Sequence, residues 1–158
     1  ASVLTNSFKT ELMRSGHNFD TAGATPAGSA FKLALYTSSA NLGTTTTVYS
    51  ATNEITNDAG TAYSAGGKAL TNSGVTTSTV TSHTDFADLS VANGTAWTSA
   101  SFTTRGCLIY NTSIVSGFTT NRAVCSIDFG GDKTVSNGTF SIEFPTNSDS
   151  AAIIRLTS

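Results

Sequence analysis

The stretch that decides the fold is Ala123-Val124-Cys125-Ser126-Ile127-Asp128-Phe129, followed by Thr139-Phe140-Ser141-Ile142-Glu143-Phe144. Ala123, Cys125, Ile127 and Phe129 recur with a period of two, as do Phe140, Ile142 and Phe144. This is the signature of strands buried on one face. Gly130-Gly131-Asp132-Lys133 and Asn137-Gly138 between them read as turns. Upstream, Cys107, Ile109 and Asn111 face one way and Leu108 and Tyr110 the other. In Phe31-Lys32-Leu33-Ala34-Leu35-Tyr36, Phe31, Leu33 and Leu35 share a face opposite Lys32, Ala34 and Tyr36. Ile153, Ile154 and Leu156 make a last strand.

Working outward, Val48 to Ile55 is a weaker extended segment, turned by Asn57-Asp58-Ala59-Gly60. Gly66-Gly67 precedes a short strand, Lys68-Ala69-Leu70-Thr71, which Asn72-Ser73-Gly74 closes, and Val75 to Ser82 is an extended Thr-rich stretch. Within Asp85 to Val91, Phe86 opposes Leu89 and Val91, which requires a bulge or bend. Asn93-Gly94 is a hairpin-type turn. Seven or more strands separated by such turns predict an all-β fold, an antiparallel β-sandwich or jelly-roll-like barrel. The expected core is Leu33, Leu35, Ile109, Ile127, Phe140, Ile142 and Phe144. One short N-terminal helix is expected, capped by Thr5, Asn6 or Ser7, running from Phe8 to Arg14 and ended by Gly16. The organisation predicted is an N-terminal helical arm over residues 1–19 and a β-sandwich domain over 20–158.

The chain of 158 residues carries 38% hydrophobic but only 11% charged side chains, so its polar surface comes from 29 Thr, 22 Ser and 11 Asn. A net charge of -2 with 8 scattered Lys and Arg leaves no basic stripe for nucleic acid. No apolar run reaches the roughly 20 residues that span a bilayer, and no basic start followed by an apolar stretch suggests a signal peptide. No nucleic-acid or membrane partner and no cofactor are expected.

The two histidines, His17 and His83, select no catalytic set. His17, just past the helix, reads as a hydrogen-bonded helix-terminus residue. His83 with Asp85 and Asp88 is the competing hydrolase-type cluster, against solvated turn chemistry. Gly66-Gly67-Lys68 lacks the spacing of a phosphate loop, and Asp58, Asp128 and Asp132 lack the regular spacing of a calcium loop. Cys107 and Cys125 read as paired, buried, reduced thiols, with a cross-strand disulfide as the minor alternative. Trp97 is either a core residue, the favoured reading, or a sugar-stacking platform. No catalytic, cofactor-binding or metal-binding residue is nominated, and the chain is not expected to be an enzyme.

Taken in order, several segments resemble a family of small virion structural proteins of tailed bacteriophages. They are Ser7-Phe8-Lys9-Thr10-Glu11-Leu12, Gly16-His17-Asn18-Phe19, Phe31 to Ser38, Ala62 to Gly67, Asp85-Phe86-Ala87-Asp88, Thr103-Thr104-Arg105-Gly106, Leu108-Ile109-Tyr110-Asn111, Asp128 to Lys133 and Ile153-Ile154-Arg155-Leu156. The resemblance implies a particle component assembled in the host cytoplasm and located in the virion. Capsid decoration, as a cement protein on the major capsid protein, is the first expectation; a tail, neck or fibre-associated protein or adhesin contacting the host surface or carbohydrate is the alternative. A homo-oligomer is expected, with a trimer suiting local threefold positions on a shell. Phe8, Leu12, Met13 and Phe19 are the candidate interface residues, against docking of the same segment on its own sheet.

Overall fold

The computed structural model describes residues 1–56, 60–113 and 115–158. Its elements are β1 (Val3–Leu4), α1 (Asn6–Met13), β2 (Phe31–Tyr36), β3 (Lys68–Leu70), β4 (Asn72–Ser78), β5 (Thr81–Phe86), β6 (Trp97–Asn111), β7 (Arg122–Phe140) and β8 (Ile154–Thr157). A five-stranded sheet in the order β1-β7-β6-β2-β3 accompanies a three-stranded sheet, β4-β5-β8, and every strand pairing is antiparallel. The fold is an all-β sandwich with a short N-terminal helix.

The long β6–β7 ribbon is the frame. Where turns were expected, β7 runs on as one strand, because β6 continues alongside it as a partner. Gly106 pairs with Asp128 and Thr104 with Lys133, so residues 129–132 bulge out opposite Arg105, with Gly130 at φ 76°. Asn137-Gly138 is likewise absorbed, Gly138 pairing with Ala100 while Asn137 takes φ 45°. Glycine and asparagine supply a positive φ as readily to a bulge as to a turn.

A second bulge corrects the expected facing of Ala123. Ile109 pairs with Cys125 but Tyr110 pairs with Ala123, leaving Val124 as an extra residue. Val124 and Cys125 therefore enter the main core, and Ala123 turns to the opposite face with Tyr110. Three further corrections are local. The Val75–Ser82 run is a hairpin, with β4 ending at Ser78, Thr79 at φ 48° and β5 starting at Thr81. Val48 to Ile55 forms only isolated bridges, Val48 to Arg122 and Glu54 to Tyr36. Val91 is exposed, while Phe86 ends β5 and Leu89 bridges to Ile142 beyond the bend. Of the turn expected at Asn57-Asp58-Ala59-Gly60, the first three residues lie outside the described ones.

The core has two parts, one on each face of the larger sheet. Phe31, Leu33, Leu35, Cys107, Ile109, Val124 and Cys125 look toward the second sheet, where Phe86 and Ile154 meet them together with Leu89 from the chain just beyond β5. On the reverse face Ala34, Tyr36, Leu108, Tyr110 and Ala123 are buried under Ala40, Leu42 and Tyr49. Leu33, Leu35 and Ile109 are core residues as expected; Ile127, Phe140, Ile142 and Phe144 pack against the core only partly buried. The last two lie beyond the end of β7, in the segment that crosses to the second sheet.

Residues 1–19, read as a separate arm, share this core. β1 pairs with β7, Val3 against Ser126. Thr5 caps α1, its hydroxyl accepting the Phe8 amide at 3.2 Å. The chain leaves the helix through Ser15 at φ 59°, with the Gly16 amide returned to the Glu11 carbonyl. Phe8 and Phe19 are 1% and 5% exposed. Burying such a side chain contributes about 1.5–3 kcal/mol, enough to hold a two-turn helix that is marginal alone.

Candidate functional site

The histidine, arginine, carboxylate and tyrosine side chains that the fold buries gather in three clusters. In the first, all four tyrosines of the chain converge around Glu54. Tyr49 and Tyr63 each donate a hydroxyl to the carboxylate at 2.6 Å, and the Gly66 amide donates at 2.7 Å. Tyr110 stacks on Tyr49, centroids 4.7 Å apart, and donates to the Gly66 carbonyl; Tyr36 donates to the Ser50 carbonyl. Burial pushes all four phenols up, Tyr110 to about 12, with the Glu54 carboxylate adding to the rise. Gly66-Gly67 is the turn that closes this cluster. Gly67 has φ 71°, and a Cβ there would stand 1.8 Å from the Leu33 carbonyl oxygen, so only glycine fits.

The second cluster joins α1 to the large sheet. Arg122, 2% exposed, places Nε 3.2 Å from Glu11 Oε2, donates to the Gly16 and Thr119 carbonyls, and lies 4.6 Å over the Phe118 ring. His17 donates from Nε2 to the same Glu11 oxygen at 2.8 Å. Its Nδ1 accepts from Asn111 Nδ2 at 3.0 Å. The Asn111 amide is oriented by its own oxygen, which accepts the Ser113 backbone amide at 2.8 Å. The network thus fixes the Nε2-protonated neutral tautomer. Burial is the main reason that the imidazole pKa is lowered; the Arg122 charge adds to it, against the opposing pull of Glu11.

The third cluster pins the C-terminal segment. Asp85, 1% exposed, accepts the Phe86 and Ile153 amides, and Asp88 accepts the Phe144 amide. Burial raises the Asp85 pKa. His83 bonds through Nδ1 to Asn147 Oδ1 at 2.8 Å. The three residues weighed as a hydrolase cluster thus each bind a separate point of the 144–153 segment. Among the described residues no group of three or more His, Cys, Asp and Glu is placed to hold a metal ion. Asp58 lies outside the described residues, while Asp128 and Asp132 flank Arg105 on the surface at 3.0 and 3.9 Å.

Comparison of the chain with protein-family models, curated proteins and solved structures finds no match.

Trp97 is 2% exposed, between Tyr63, Phe102 and Phe140 with Lys68 Nζ 5.2 Å over its ring, so it presents no sugar-stacking face. Cys107 and Cys125 are buried free thiols on one face of the β6–β7 pair. Cys107 pairs with Ile127 and Cys125 with Ile109, which makes the two sulfurs diagonal neighbours. Diagonal positions lie about 7–8 Å apart, beyond the usual reach of a disulfide. A cleft of about 320 Å³ opens between the loop at Thr37–Leu42 and β7, with Arg105, Ser126 and Asp128 among its lining residues.

Of the four candidate interface residues, Phe8 and Phe19 are interior, Leu12 packs partly buried against the core, and Met13 is 83% exposed. Leu12 lines a small apolar cavity of about 180 Å³ with Phe19, Val75, Ile154 and Leu156. Nothing in the sequence pointed to Glu54 or Arg122, and Asn111 was placed on the face of Cys107 and Ile109 without a hydrogen-bonding role. Each stands alone among unlike neighbours, and its partners are brought to it from distant parts of the chain.

Proposed function

We propose that this chain is a bacteriophage virion structural protein that decorates the outer shell, seated on the major capsid protein and self-associating as a trimer. The observation that carries the reading is the ordered resemblance of segments from Ser7 to Leu156 to small tailed-phage virion proteins. Two physical features support it. The buried titratable side chains spend their hydrogen bonds on the chain's own backbone and on one another: Glu54 on Gly66, Arg122 on Gly16 and Thr119, Asp85 on Phe86 and Ile153. They brace loops and termini against the sheets, which suits a part that bears load in an assembly. More than half of the exposed strand positions are short hydroxyl side chains, such as Thr76, Thr77, Thr103 and Thr134. Covering these costs less rotamer entropy than covering lysine or glutamate.

The test is to find the chain in a reconstruction of the phage particle, with its identity fixed by an epitope tag at residue 158. Repeated density on the outer shell, three copies around local threefold positions, is the expected result. Density confined to the tail or neck, or purified particles without the chain, would overturn the reading.

A further inference from the structure

We propose that residues 1–19 are an acid-released latch, held on the sandwich while the His17 imidazole is neutral and let go when it takes up a proton. The geometry around the ring is specific to one protonation state. Nε2 already donates to Glu11, and Nδ1 is an acceptor for Asn111 Nδ2 at 3.0 Å. A proton arriving at Nδ1 would set an N–H donor against the Asn111 amino group. Turning the Asn111 amide over to offer its oxygen would abandon the Ser113 amide, which that oxygen accepts at 2.8 Å. Neither state satisfies every group.

The charges around the ring do not rescue the imidazolium. On α1, Glu11 is the one carboxylate in contact, and its Oε2 is shared with the Arg122 guanidinium of β7 at 3.2 Å. The new cation would therefore share one oxygen with a cation already buried beside it. From β5, His83 lines the same small cavity as His17, bringing no negative charge. The remaining neighbours are rings: Phe8 at 5.0 Å, Phe19 at 6.3 Å and Phe31 at 6.4 Å between centroids. The imidazole has no exposed side-chain surface through which water could solvate the charge. Burial accordingly lowers its pKa from the ordinary 6.5.

What yields is set by how the segment is held. Phe8, His17 and Phe19 are its buried rings, and the rest of its hold is a set of hydrogen bonds: the two-residue pairing of β1, Thr5 donating to the Val124 and Ala123 carbonyls, the Asn6 amide donating to Thr44, and Asn111 and Arg122 donating to the Gly16 carbonyl. The β6–β7 ribbon is held independently, by its own ladder and by β2. Release would uncover Phe31, Phe86 and Ile154 and free the apolar side of α1 for another surface.

The experiment is amide hydrogen exchange on the full chain between about pH 7.5 and about pH 5, corrected for intrinsic exchange and run beside an NMR titration of both histidine rings. Protection of the amides from Phe8 to Gly16 should fall about tenfold or more with the midpoint of His17, while Leu108 and Ile109 stay protected. The Nδ1 and Nε2 shifts should report the Nε2-protonated tautomer above that midpoint. Asn111→Asp, which offers Nδ1–H an acceptor, should keep the segment closed throughout this range, and His83→Gln should leave the transition in place. Retained protection in acid, loss that follows His83, loss of the β6 amides in step, or an Asn111→Asp variant that opens like the parent would each overturn the proposal. If Asn111→Asp does not fold, the two ring titrations and the exchange data of the parent chain decide.

Discussion

The Tyr63 hydroxyl donates to Glu54 Oε1 at 2.6 Å and accepts the Leu35 amide at 2.9 Å, so one phenol carries the buried carboxylate onto the backbone of β2. Tyr63→Phe should cost about 3 kcal/mol, because it removes a bond to a charged acceptor and strands a buried N–H. Tyr49→Phe, which leaves no backbone group unpaired, should cost about half as much. Urea midpoints at unchanged slope check the pair; equal losses would mean that the Leu35 bond contributes nothing.

The same cluster sets the alkaline limit. The folded-state pKa values of Tyr36, Tyr49, Tyr63 and Tyr110 are raised above the ordinary 10, Tyr110 to about 12. Stability from these groups is present below pH 10 and is lost as pH rises from there through the folded values, since only the unfolded chain ionises freely. Phenolate absorbance should therefore lag behind a free tyrosine and then rise together with loss of circular dichroism. Four independent titrations near pH 10 in a folded chain would contradict the assignment.

Arg122→Met should destabilise by about 3 kcal/mol, because it strips the partner from a carboxylate that is mostly out of water. Adding Glu11→Gln to it should recover part of the loss, since no unpaired charge then remains. A double-mutant cycle by chemical denaturation measures the coupling, and strict additivity would rule out a net-favourable pair.

Phe31→Ala should cost about 3–5 kcal/mol and Phe144→Ala about half that. Phe31 is 1% exposed and meets Phe19, Phe86 and His17, whereas Phe144 packs on the core only partly buried. Thermal unfolding of both variants gives the order, and a larger loss for Phe144 would reverse the assignment of the core.

Both thiols should resist a maleimide reagent in the native chain and react in denaturant. Each is buried, with Cys107 raised well above its ordinary range and Cys125 pushed up to about 12 by the loss of water around the thiolate. Oxidation should leave the mass of the monomer without an internal disulfide, as their diagonal placement requires. A disulfide between them in native protein would show that the β6–β7 register is wrong.

The alternation in Phe31–Tyr36 and Cys107–Asn111 was enough to specify strands, their two faces and the all-β class, because side-chain direction in a strand has a fixed period of two that any reader of the chain can follow. That a cap lay among Thr5, Asn6 and Ser7 and that the helix ended near Gly16 were legible for a similar reason, as local rules of backbone hydrogen bonding, while the choice of Thr5 came with the fold. What the chain could not disclose by itself was which glycines turn and which bulge. Gly130 and Gly138 carry the same freedom either way, and it is the continued presence of β6 alongside that keeps β7 extended. The bulge at Val124 belongs with these, since it exists only in the pairing with Ile109 and Tyr110. Arg122, Glu11, His17 and Asn111, like Glu54 and its tyrosines, carry no local spacing signal. They became clusters only when the ladder brought β6 beside β7 and docked α1 against them, because burial and partnership are properties of the packed chain rather than of any segment of it.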